Sequence, residues 1–204
     1  MEEQADLNIL TQEIKINVLP PKNTIIYKLL EALPLNTGTK VLEINPGSTE
    51  HLPYLFQKAE NTIYFGAGNE PAVKDPVLHD KIEDNQVQFT KITDERLDFG
   101  DSFFDYCFTV NTIYFWPDPL QYFLEIYRVL KPGAKMHLAF VEKKFGAHLP
   151  WTQFDFSFYE IDEVKSFFKK AGFTHIVLTE MTETVRDNES KETNRPFIVI
   201  SGQK

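Results

Sequence analysis

Between residues 103 and 141 the hydrophobic period changes twice, and that double change leaves few folds open. Residues 103–110, FFDYCFTV, form a near-continuous apolar run of strand length, as a strand buried on both faces of a parallel sheet requires. Pro117, Asp118 and Pro119 end it, and from there the apolar side chains fall at helical spacing: Leu120, Phe123, Leu124, Tyr127 and Leu130. Lys131, Pro132 and Gly133 stop that helix, because proline cannot continue it and glycine tolerates the positive φ of a turn. Residues 135–141 then supply the next strand. Strand, helix and strand in this order and length imply a right-handed parallel crossover, and so an α/β sheet with a helix packed on it.

The wording of the same stretch carries a resemblance. An FD at a strand start, an apolar strand ending in VNTIYFWPDP, then EIYRVLKPGA and another apolar strand resemble the second half of a class I S-adenosylmethionine (SAM)-dependent methyltransferase. The similarity runs in order from about Thr39 to the C-terminus and is of the ubiquinone/menaquinone-biosynthesis type. It implies a Rossmann-like sheet of seven strands, mostly parallel, with helices on both faces and the last strand antiparallel. It also implies SAM as the cofactor.

The residues that the resemblance singles out lie at strand ends. Residues 40–44, KVLEI, are the first core strand, and NPGST follows directly where the family has an acidic residue and a turn with three glycines. Glu43 takes the acidic position. A carboxylate in an apolar strand needs donors or a cation, which leaves two partners open: the positive groups of SAM, or nearby backbone amides. Asn45, Gly47 and Thr49 stand where the glycines should, with Pro46 between the first two. Asn tolerates left-handed backbone geometry and Gly47 keeps the central close approach, whereas Thr49 adds a branched side chain and Pro46 removes an N–H. Residues 62–65 are the second strand, and Gly68 occupies the place of the family's ribose-binding acid, with Asn69 or Glu70 next to it. Residues 87–92 are the third strand, followed by Thr93 and Asp94 where relatives hold a polar group against adenine. At the end of the fourth strand stand Asn111, Thr112 and Tyr114, then Phe115 and Trp116, which either wall a ligand or pack beneath the next helix, packing being the reading for Phe115. The resemblance thus assigns cofactor contacts to Glu43, Asn45, Gly47, Gly68, Asn69, Thr93, Asp94 and Asn111.

No catalytic residue stands out. Tyr114 and His148 have suitable positions and chemistry, and His137, inside the fifth strand, reads as a satisfied core histidine. Cys107 is alone in the chain and sits in a strand, so it reads as an inert core thiol. Neither cysteine-pair nor HExxH metal spacing occurs. Residues 142–158 mix Phe145, His148, Trp151, Phe154 and Phe156 with turn residues, as a substrate lid or a core plug would. The helix predicted next carries Ile161, Val164, Phe167, Phe168 and Ala171 on one face, and two last strands at 173–181 and 196–201 are expected to flank a mobile polar connection.

With 204 residues, 42% of them hydrophobic and 14% aromatic, one domain over 1–204 is expected, with residues 1–21 as an N-terminal arm. The net charge of −9 argues against nucleic acid, which needs a basic stripe, and leaves a small-molecule substrate. No membrane-length apolar run and no signal pattern occur, so a cytoplasmic location is expected. Two functions follow: a SAM-dependent methyltransferase acting on a small molecule, or a non-catalytic methyltransferase-like binding or regulatory protein. The altered glycine turn and the replaced ribose acid are what keep the second in play.

Overall fold

In the computed structural model the described residues are 24–68, 76–146, 157–186 and 192–204. The N-terminal arm, Asn69, Glu70, His148 and most of the proposed lid lie outside them.

The change of period reads out as chain direction. β4 (Phe104–Val110) is followed by α4 (Pro119–Val129) and β5 (Leu130–Phe140), and β4 pairs parallel to β5. Asp118 caps α4 by accepting from the Gln121 N–H at 3.1 Å, and Pro119 takes the first helical position, where a missing N–H costs nothing. β5 begins earlier than its apolar pattern suggests, because Leu130 already has extended geometry. The register slips between Phe104 and Tyr106 to accommodate Pro132 and Gly133, the latter at φ 83°.

Around this unit lie α1 (Ile25–Ala32), β1 (Lys40–Ile44), α2 (Leu52–Lys58), β2 (Ile63–Ala67), α3 (Pro76–Glu83) and β3 (Val87–Thr90). After β5 come a short α5 (Lys143–Gly146), α6 (Ile161–Ala171), β6 (Thr174–Arg186) and β7 (Glu192–Gln203). The strands order as β3-β2-β1-β4-β5-β7-β6. The first five pair in parallel, while β7 runs antiparallel to both β5 and β6. This is the expected seven-stranded, mostly parallel sheet.

Strand alternation sends side chains to two cores. Leu42, Ile44, Cys107, Met136 and Leu138 meet Phe123 and Ile126 of α4 and Val164 and Phe168 of α6. On the other face Val41, Tyr64, Phe108 and Ala139 meet Leu29 and Leu30 of α1, Leu52 and Leu55 of α2, and Leu78 of α3. Burial raises the Cys107 thiol pKa, in keeping with an inert core residue.

The mobile polar connection is corrected in its described part: β6 and β7 extend into it, pairing Thr182 with Pro196 and on to Arg186 with Glu192, while residues 187–191 lie outside the described residues. Its hydrophobic pattern is weak because this end of the hairpin is held by backbone ladder bonds and a polar cross-strand pair rather than by a core. Directly opposed Glu183 and Arg195 form that pair, the guanidinium donating through Nε at 2.9 Å and Nη2 at 2.5 Å to Glu183 Oε1. Glu183 Oε2 accepts the Ile25 N–H at 3.2 Å, so the hairpin caps α1, whose own N-cap residue Thr24 makes no side-chain cap. At the other side of α1 the Tyr27 hydroxyl donates to the Glu50 carbonyl at 3.1 Å.

Candidate active site

The strand order reverses between β1 and β4, and ligands of open α/β sheets bind beyond the carboxyl ends of strands at such a point. A cleft of about 750 Å³ lies there, lined by residues at the ends of β1, β2, β3 and β4 and by the segment leading into α4. Of the residues predicted from sequence it brings together Asn45, Gly47, Gly68 and Asn111.

Each of these four is placed by backbone geometry. Asn45 leaves β1 at φ 52°, donating its N–H to the Ala67 carbonyl at 2.7 Å. Asn111 leaves β4 at φ 56° and donates its N–H to the Ala139 carbonyl at 2.9 Å. Both are left-handed positions that asparagine tolerates. Gly68 has φ 137°, and a Cβ there would stand 2.1 Å from Asn45 Oδ1, so only glycine fits beside the Asn45 side chain. A Cβ at Gly47 would meet nothing within 4 Å, leaving the backbone open to close approach.

The strand tips are tied to each other. The Thr109 hydroxyl donates to the Ile44 carbonyl at 3.0 Å, and with its proton so used it accepts from the Thr112 hydroxyl at 2.5 Å. Tyr114 braces the end of β5: its oxygen accepts the Val141 N–H at 2.5 Å and its proton faces the Val141 carbonyl at 3.2 Å and Asn111 Oδ1 at 3.3 Å. Burial raises its pKa, so the phenol stays neutral and its hydroxyl is engaged.

Glu43 lies elsewhere. Alternation along β1 puts it on the face of Val41, beneath α2, where it is 4% exposed. Its Oε2 accepts from His51 Nε2 at 2.9 Å and from the Tyr64 hydroxyl at 2.5 Å. Its partners include two side chains, neither of which the sequence reading named. Thr93 and Asp94 do not line the cleft. They belong to a tight turn closed by a Thr93–Arg96 bridge, with Asp94 at φ 51°. β3 ends at Thr90, two residues sooner than expected, so Lys91 and Ile92 reach the cleft instead.

Sequence reasoning also passed over Thr112 as a strand tie and Tyr122 as a wall. Tyr122 stacks on buried Trp116 at 4.6 Å between ring centroids and 9° between planes. Phe115, expected to pack beneath the next helix, instead lines the cleft and is 55% exposed. The lining therefore combines asparagine amides, a lysine and an apolar side made by Ile92, Phe115, Pro117 and Tyr122. Among the described lining residues there is no carboxylate. No group of three or more possible metal ligands occurs among the described residues, and none of their helices is long and apolar enough to cross a membrane.

Residues 42–138 match the family described as the methyltransferase domain. This central stretch, 97 of the 204 residues, is similar in sequence to that family, and the chain has the class I SAM-dependent methyltransferase fold. Phosphoethanolamine N-methyltransferase 2 of Caenorhabditis elegans is 28% identical over 116 residues, 54% of this chain and 26% of that protein, so the chain spans about a quarter of that relative's length. A SAM-dependent methyltransferase from Aquifex aeolicus has a TM-score of 0.60 at 20% identity, with 98% of each chain covered. Phosphoethanolamine N-methyltransferase 2 of Haemonchus contortus, in complex with SAM, has a TM-score of 0.65 at 16% identity, over 88% of this chain and 51% of that one. The [4+2]-cyclase SpnF shares the fold at a TM-score of 0.68 and 15% identity, over 88% of this chain and 80% of that one.

Proposed function

We propose that the protein is a SAM-dependent methyltransferase acting on a small molecule, with SAM held in the cleft between Asn45 and Asn111. The observation that carries this reading is the cleft itself: open, at the switch point, and of a volume within the range of about 300–1,000 Å³ typical of small-molecule sites.

The residues present suit such a cofactor. Gly47 and Gly68 let the backbone come close, the Asn45 and Asn111 amides offer donors and acceptors to polar groups, and Ile92, Phe115 and Tyr122 offer an apolar side to a base. Bound SAM supplies a methyl group already activated on a positively charged sulfur. The chain's share of the work is then to align the acceptor with that methyl and to keep water out, which needs no dedicated base. Tyr114 is not assigned as one, since its hydroxyl braces Val141. With no carboxylate among the described lining residues, a charge-assisted hydrogen bond to the ribose, worth about 1.5–3 kcal/mol or one to two decades in Kd, has no acceptor there.

A second reading, a methyltransferase-like binding protein without transferase activity, is favoured by the same absence of a carboxylate among the described lining residues. A fold does not fix a reaction, and SpnF carries a cyclase name on the same architecture. Titration of SAM and S-adenosylhomocysteine, followed by heat and by melting temperature, separates the two. Binding of both supports the first; no response to either at millimolar concentration supports the second.

A further inference from the structure

The turn that follows β1 lacks two of the glycines its family uses, yet it must hold one shape to line the cleft. Its near end is fixed by the Asn45 N–H on Ala67. Its far end is fixed by His51, the residue just before α2, which reaches back eight positions to the strand and donates through Nε2 to Glu43 Oε2. A tie between the strand and the residue that closes the turn restricts the seven residues between them, as any cross-link of a short loop does.

The tie is itself rigid. Glu43 and His51 are each 4% exposed and Tyr64 is fully buried. The Tyr64 hydroxyl donates to the same carboxylate oxygen, fixing the carboxylate's orientation. The imidazole packs edge-on to Tyr64 at 6.3 Å and to Phe108 at 6.2 Å between centroids, so its ring has little freedom. Beyond it, α2 starts on the Leu52 N–H to Thr49 carbonyl bond at 3.1 Å, which carries the restraint back into the turn.

We propose that His51 is a positioning residue: by clasping Glu43 beneath the turn, it sets the backbone of residues 45–50 in the shape that lines the cleft, replacing the missing glycines as the source of that geometry. That this shape serves a nucleoside rests on the function proposed above; that the clasp sets the shape does not.

Hydrogen exchange of the ligand-free protein tests the clasp. His51→Leu leaves Glu43 with one donor fewer in the core and is expected to lower the melting temperature strongly. Glu43→Leu/His51→Leu removes the buried polar pair and recovers part of that stability, the Tyr64 hydroxyl being left without its acceptor. In the double variant the amides of residues 45 and 47–50 are expected to exchange about tenfold faster than in the wild type, while those of β4 and β5 do not change. His51→Gln, which places a donor at similar reach, keeps the slow exchange. Equal exchange at these turn amides in the double variant and the wild type, or an increase spread equally over β4 and β5, overturns the proposal. S-adenosylhomocysteine is expected to bind the double variant about tenfold more weakly than the wild type, a loss that recovered stability alone does not produce; unchanged affinity counts against the clasp. A wild-type protein that binds neither SAM nor S-adenosylhomocysteine defeats the cofactor reading and leaves exchange to decide the role of His51.

Discussion

The Thr109 hydroxyl donates to the Ile44 carbonyl at 3.0 Å, joining the last turn of β4's ladder to the end of β1 at the point where the sheet changes direction. Thr109 is fully buried. Thr109→Val keeps the shape and removes the donor, leaving the Ile44 carbonyl short of a partner and the Thr112 hydroxyl without its acceptor. The expected loss is about 1–3 kcal/mol in urea unfolding. The neighbouring Cys107→Ala, which removes only a small apolar group, reports the cost of packing by comparison.

Gly68→Ala is expected to disturb the cleft before it disturbs the fold. Its Cβ would meet Asn45 Oδ1, and its φ of 137° is one that a side chain rarely adopts. Strain at such a position costs on the order of 1–3 kcal/mol. Asn45→Gly in the same chain removes the colliding side chain and is expected to restore part of that loss, while SAM binding stays weak because the Asn45 amide is gone. Calorimetric titration and thermal unfolding of the three variants check both halves.

His137 makes stability depend on pH in a definite direction. Burial, with Lys135 adding to it, brings its pKa from 6.5 down to about 4. The residue is partly buried, and its Nε2 is buried without a hydrogen-bond partner among the described residues, unlike the satisfied core histidine expected from sequence. The folded state binds fewer protons than the unfolded state between these two values. Stability is therefore full above pH 6.5 and falls as pH drops towards 4, by up to about 3 kcal/mol for a shift of this size. His137→Leu removes this contribution, so the loss between pH 7 and pH 4.5, measured by urea unfolding, is expected to be smaller in the variant than in the wild type.

Glu183→Ala removes the acceptor for both Arg195 and the Ile25 N–H. The expected loss is about 1–3 kcal/mol, since a buried donor is left without a partner. Glu183→Gln keeps an acceptor for one of them and is expected to recover part of it. Thermal unfolding of the pair of variants is sufficient.

The sheet was legible in the sequence because residues 103–141 change period twice, and β4, α4 and β5 follow that change closely. Asn45, Gly47, Gly68 and Asn111 could be placed for a similar reason: each stands at the carboxyl end of a strand, and a parallel sheet gathers those ends on one edge. Lys91 and Ile92 escaped because β3 stops at Thr90, and apolar spacing does not fix a strand's last residue. The long hairpin escaped because its distal pairing, Glu183 with Arg195, is polar and mimics a loop. The Glu43–His51 contact joins two residues eight apart across a turn, and only the path of that turn brings them together. An acid two residues before the turn and a histidine just after it was the available signal.

α1 is eight residues long, and both its sides are engaged: Tyr27 on the Glu50 carbonyl, the Ile25 amide on Glu183. It works as a short strut between the turn after β1 and the far hairpin, two segments that share no strand pairing. A shift of either one is thus expected to reach the other through hydrogen bonds made only two residues apart on α1.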